Sequence, residues 1–101
     1  MRRAARRDDG EDEIVKALRE AGAVVRVVTQ GDGIPDLLVG YESPVSGIGY
    51  TILMEVKDGT KPPSARRLTE AEEKFFMEWT GGMLVIVNSV EEALEVLKRC
   101  V

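Results

Sequence analysis

An acid and a lysine two residues apart, Glu55 and Lys57, end the apolar run Tyr50-Thr51-Ile52-Leu53-Met54. A second acid, Asp36, opens another such run, Leu37-Leu38-Val39. Alternate residues of a strand share a face, so Glu55 and Lys57 point one way and Val56 the other. Charged groups at the rim of a buried sheet are expensive to desolvate unless they are paired or used. The chemistry that uses such a set is the holding of a hard divalent cation and the management of a water beside a phosphate. Asp36 and Glu55 supply the small number of carboxylates that Mg²⁺ takes alongside waters and substrate oxygens. The Val56 backbone carbonyl offers a further ligand. Lys57 can orient an attacking water or stabilise developing negative charge. The set contains no evident base, so a metal is required. The plainer alternative is an ion pair on an exposed strand, worth little, and local physics alone leaves the two readings level.

The rest of the composition narrows the chemistry. The sequence has 101 residues, 44% of them apolar, which suits one small domain with an aliphatic core. It has no histidine and a single cysteine, Cys100, so a structural zinc site, His-based catalysis and an internal disulfide are all excluded. The lone thiol favours a reducing cytoplasm. No apolar run is long enough to span a bilayer, and the N-terminal arginines precede acids rather than the apolar segment of a signal peptide. The net charge of −4 argues weakly against nucleic acid, but the charges are segregated. Arg2, Arg3, Arg6 and Arg7 make a basic arm over residues 1–9, and Lys61, Arg66 and Arg67 make a basic segment directly after Lys57.

The elements that must position these residues read as one domain over residues 10–101, in the order αβββαβα. Ile14, Val15, Leu18 and Ala21 recur at helical spacing, and Gly22 ends that helix. Residues 23–28 form a β-branched strand, residues 37–41 a second and residues 50–57 a third, apolar on both faces near its end and so central. Pro35 fixes the approach to Asp36. Residues 58–67 are a polar loop with two consecutive prolines. Thr69 and Glu72 form a capping box opening a second helix, whose stripe of Ala71, Phe75, Phe76 and Trp79 reads first as ordinary core, with a face for a dimer contact as the alternative. Met83-Leu84-Val85-Ile86-Val87 is a fourth strand, and Ser89 caps a last helix burying Val90, Ala93, Leu94 and Leu97.

With these motifs in order, the sequence resembles the PD-(D/E)XK nuclease superfamily, and within it small stand-alone phage and prophage members of the VRR-NUC (virus-type replication–repair nuclease) branch. The resemblance rests on Gly33-Ile34-Pro35-Asp36-Leu37, Glu55-Val56-Lys57-Asp58-Gly59 and Pro63-Ser64-Ala65-Arg66-Arg67-Leu68-Thr69. It covers nearly all of the chain after residue 7.

The resemblance implies an α/β fold with a restriction-endonuclease-like core, a mixed central sheet flanked by helices. It implies a Mg²⁺-dependent endonuclease, with Mn²⁺ able to substitute, acting in DNA repair as a homodimer on branched DNA such as Holliday junctions in a bacterial or phage-infected cytoplasm. It implies Asp36, Glu55 and Lys57 as catalytic residues, and a glutamate on the first helix completing the metal site with Asp36, Glu55 and Val56. Glu11 matches that position best, with Glu13 as the fallback; an acid near a helix N-terminus is also simply favourable there. Family members often carry glutamine where this chain has Glu72, which serves as a site residue or only as the capping partner of Thr69. Lys61, Arg66, Arg67 and Lys74 are the candidates for backbone phosphates, without base reading. For Lys74 the plainer reading is a helical ion pair with Glu70 or Glu78. The competing functions are a non-catalytic nucleic-acid-binding or adaptor module with the same fold, and a general duplex nuclease.

Overall fold

The computed structural model describes residues 10–101. The basic arm expected over residues 1–9 lies outside the described residues. Four strands and three helices follow in the expected order: α1 (Glu11–Glu20), β1 (Val24–Val27), β2 (Leu37–Glu42), β3 (Gly49–Val56), α2 (Glu70–Glu78), β4 (Met83–Val87) and α3 (Val90–Lys98), with a 3₁₀ turn at Pro63–Arg66. The result is a small α/β fold around a mixed sheet in the order β1-β2-β3-β4. β1, β2 and β3 pair antiparallel, and β4 joins β3 in parallel.

The pairing follows from the connections. β2 and β3 form a hairpin, whose turn is held by the Ser43 hydroxyl accepting from the N–H groups of Val45 and Ser46. A parallel pair needs a crossover, which is α2 with the loop before it. The third strand is central, as expected, but ends at Val56 rather than Lys57; the Lys57 N–H still bonds the Val87 carbonyl, and its ammonium meets Glu55 and Glu72. β1 is one residue shorter than expected at each end; after it, the Val28 N–H bonds the Asp36 carbonyl at 2.7 Å.

One face of the sheet carries the core. Val25, Leu37, Val39, Ile52, Met54, Val56 and Val87 pack with Ile14, Val15 and Leu18 of α1 and with Ala93, Val96, Leu97 and Cys100 of the C-terminal segment. Complete burial of such aliphatic side chains contributes about 1.5–3 kcal/mol each. Gly22, at φ 103°, stops α1 in the left-handed region. The Ser89 hydroxyl caps α3 by accepting from the Glu92 N–H.

The second helix departs from expectation. Its capping box is complete, with the Thr69 hydroxyl accepting from the Glu72 N–H and the Glu72 carboxylate accepting from the Thr69 N–H. Yet α2 buries no residue fully, so its aromatic stripe is not core. Phe75 and Phe76 are half-buried, and Trp79 is exposed. Trp79 stacks on Phe75 at 5.4 Å and folds back over Gly81, donating its indole N–H to the Gly82 carbonyl. The reason is architectural: α1 and α3 already occupy the core face, and α2 lies on the side that Glu55 faces. Among the described residues, no helix is long and apolar enough to cross a membrane.

Candidate active site

Backbone register brings the predicted acids together. Leu37 pairs with Met54, so the next pair beyond the ladder is Asp36 with Glu55. Residues directly opposite on antiparallel strands project from the same face as near neighbours. The Asp36 carboxylate is oriented by the chain itself, because its Oδ2 accepts from the Val56 N–H at 2.8 Å. Val56 contributes its side chain to the core, leaving only its backbone for the site.

Glu55 is 2% exposed and faces Lys57, with 3.4 Å between Oε2 and Nζ. Its Oε1 is buried without a hydrogen-bond partner. Burial, reinforced by the charge of Asp36 and by the neighbouring Glu72, pushes its carboxyl up to about 9, with Lys57 pulling weakly the other way. Burial thus favours the protonated form of Glu55, and a cation bound beside it would oppose that.

Lys57 is held between two acids. Its ammonium donates to Glu72 Oε1 at 2.9 Å as well as facing Glu55. Glu72 experiences burial that favours protonation, but hydrogen bonds from the Thr69 N–H and Lys57, together with Glu55, outweigh it and hold its carboxyl below the ordinary value. That one oxygen serves both the helix cap and the lysine is a feature sequence reasoning missed. The capping pattern marked Glu72, but nothing local shows that Lys57 reaches it.

A cleft of about 180 Å³ opens at this end of the sheet, lined among others by Glu11, Asp36, Gly33, Thr69 and Glu72. Glu11 is 1% exposed, on the first turn of α1, whereas Glu13 is exposed and lines a separate groove with Asp58 and Asn88. Of the two acids on α1, Glu11 is therefore the one the fold brings to Asp36.

Two glycines fix the loops around the site. Gly33 has φ 75°, and a Cβ there would lie 2.2 Å from the Ala71 carbonyl oxygen, so the turn before Asp36 rests directly on the first turn of α2. A Cβ on Gly59 would lie 2.5 Å from the Asn88 carbonyl, so the loop after Lys57 presses against the end of β4. Within that loop the Thr60 hydroxyl and N–H both donate to Asp58, holding its carboxyl below the usual range.

Lys61, Arg67 and Lys74 are exposed, and Arg66 is half-buried with its Nε shielded and without a hydrogen-bond partner. None of these four is brought into the carboxylate cluster among the contacts described. The loop carrying Lys61, Arg66 and Arg67 nonetheless starts at Lys57 and ends at Thr69, so both of its ends are fastened to the site.

A divalent cation fits the donor chemistry. The buried Glu55 Oε1 lacks a hydrogen-bond donor, and all the candidate ligands are the hard oxygens such cations take. Among the described residues, no three acidic, histidine or cysteine side chains are already gathered in metal-holding geometry. Two carboxylates with waters and phosphate oxygens suffice for Mg²⁺. Comparison with protein-family models, with curated proteins and with solved structures gives no match.

Proposed function

We propose that this chain is a metal-dependent DNA endonuclease with a restriction-endonuclease-like core, similar to the VRR-NUC branch of the PD-(D/E)XK nucleases, acting on branched DNA as a homodimer. The observation that supports this reading most is the placing of Asp36 beside Glu55, one position beyond the β2–β3 ladder, with the Lys57 ammonium 3.4 Å from Glu55. An ion pair alone needs neither the second acid nor burial of the first.

In this reading Asp36 and Glu55 would hold Mg²⁺ or Mn²⁺, with Glu11 and the Val56 carbonyl as further donors. Once bound, the ion offsets phosphate charge and acidifies a water. The chain's own residues do the rest. The Val56 N–H holds Asp36 in its orientation. Lys57 donates to the attacking water or to a non-bridging phosphate oxygen as charge develops. Lys61, Arg66, Arg67 and Lys74 hold flanking phosphates, which gives affinity without reading bases. Paired nicks in a four-way junction need two sites related by a twofold axis, which is the physical reason for a dimer.

The test is incubation with a four-way junction, a flap and linear duplex, with Mg²⁺, Mn²⁺ or chelator. Junction cleavage dependent on metal and lost in Lys57→Ala and Asp36→Asn is expected. Binding of the junction with no cleavage would leave the adaptor reading, and equal cleavage of linear duplex would leave a general nuclease. Light scattering near the monomer mass of 11.1 kDa would remove the paired-nick argument.

A further inference from the structure

We propose that Glu72 is a positioning residue, whose Oε1, fixed by the N-terminal cap of α2, holds the Lys57 ammonium toward Glu55. This inference rests on the nuclease reading of the site.

The geometry concentrates two duties on one atom. Glu72 Oε1 accepts from the Thr69 N–H at 2.8 Å and from Lys57 Nζ at 2.9 Å. A lysine ammonium is a compact charge on a flexible four-carbon stem. A carboxylate that was itself free to swing would not confine it. Here the carboxylate is tied to the backbone at the helix N-terminus, so its position is set by the chain rather than by side-chain rotamers. The Thr69 hydroxyl completes the box by accepting from the Glu72 N–H.

The helix start is in turn seated by backbone. Gly33 approaches Ala71 too closely for any side chain at that position. α2 buries none of its residues fully, so this backbone contact and the cap help to locate its first turn. A continuous path of position runs from the turn before Asp36, through Ala71 and Glu72, to Lys57 and Glu55. A glutamate that only capped the helix would be satisfied by the Thr69 N–H and would not need to lie against Lys57.

Glutamine at this position keeps an amide oxygen able to accept from both donors, whereas alanine keeps neither contact. Glu73→Gly weakens α2 at an exposed position, without touching Lys57, and so controls for helix stability. With Mg²⁺ and a four-way junction, Glu72→Ala should lower kcat about 100-fold, the scale of a misplacement near 1 Å, with KM within about threefold. Glu72→Gln should recover to within about tenfold of wild type, and Glu73→Gly should stay within about threefold. In protein carrying ¹⁵N-lysine, the Lys57 ammonium signal should persist in wild type and Glu72→Gln and vanish in Glu72→Ala. Should wild type cut DNA while Glu72→Ala matches Glu73→Gly in kcat and keeps the ammonium signal, Glu72 is only a helix cap and the inference is overturned. A wild type that cuts no DNA removes the reaction, and with it both the reading and the role.

Discussion

Replacing Glu55 with glutamine should stabilise the protein in the absence of divalent cations while abolishing the cleavage proposed for it. The Glu55 carboxyl is raised from 4.5 to about 9 by burial beside Asp36 and Glu72. Between those values the folded protein binds a proton that the unfolded chain has released. The contribution of that proton to stability is therefore present in full below about 4.5, falls as pH rises, and is gone above about 9. At pH 7.5, three units above the ordinary value, the ceiling on the loss is about 4 kcal/mol, taking about 1.36 kcal/mol per unit. Local relaxation and water penetration soften the cost of the buried charge, so about half the ceiling, ~2 kcal/mol, is the expected effect. Glutamine carries no charge at any of these pH values and still offers Lys57 a carbonyl oxygen. The assay is urea unfolding of wild type and Glu55→Gln in chelator, at pH 5, 6.5, 8 and 9. The two should be close at pH 5 and separate steadily, with the variant more stable by ~2 kcal/mol at pH 8 and above, or roughly 8–16 °C in Tm for a domain of this size. A gap that does not change with pH across this range would refute the burial argument. So would a wild type that gains stability with rising pH relative to the variant.

Three further outcomes follow from the same geometry. Lys57→Ala should reduce cleavage at least about 100-fold while junction affinity stays within a few-fold, read by single-turnover kinetics and a binding titration. Mg²⁺ at about one hundred times its Kd should stabilise wild type by about 2.7 kcal/mol and raise Tm accordingly, with little effect on Glu55→Gln, and the apparent affinity should rise with pH as Glu55 gives up its proton. Gly33→Ala should lose about 2 kcal/mol or more of stability in urea, through left-handed backbone strain and the clash with the Ala71 carbonyl, and should lose activity at temperatures where it remains folded.

Much of this arrangement is legible in the sequence because it is local. Hydrophobic period gives every helix and strand, the Gly22 stop and the Thr69 and Ser89 caps mark helix ends, and the alternation of strand residues separates Glu55 and Lys57 from Val56. The choice between Glu11 and Glu13 is not local: it depends on how α1 lies across the sheet, which only packing decides. The aromatic stripe of α2 misleads for a related reason. Spacing reports that Phe75, Phe76 and Trp79 share a face, but not that α1 and α3 have already filled the core, leaving these rings half-covered or exposed. The contact of Glu72 with Lys57 bridges fifteen positions and a proline-containing loop, and no periodic pattern carries that information.

The parallel seat of β4 has a consequence for how the chain is made. Asp36, Glu55, Lys57 and Glu72 all precede β4, and β1, β2 and β3 pair through near neighbours in sequence. Until residues 83–87 arrive, the five residues Ile52–Val56 that β4 pairs with leave that edge of β3 open. Such a margin is a template for pairing with another chain. The last strand and helix therefore act as the protecting cover of a nascent protein. Synthesis interrupted before Met83 should yield material that self-associates through Ile52–Val56, an outcome set by the order of translation rather than by the stability of the finished fold.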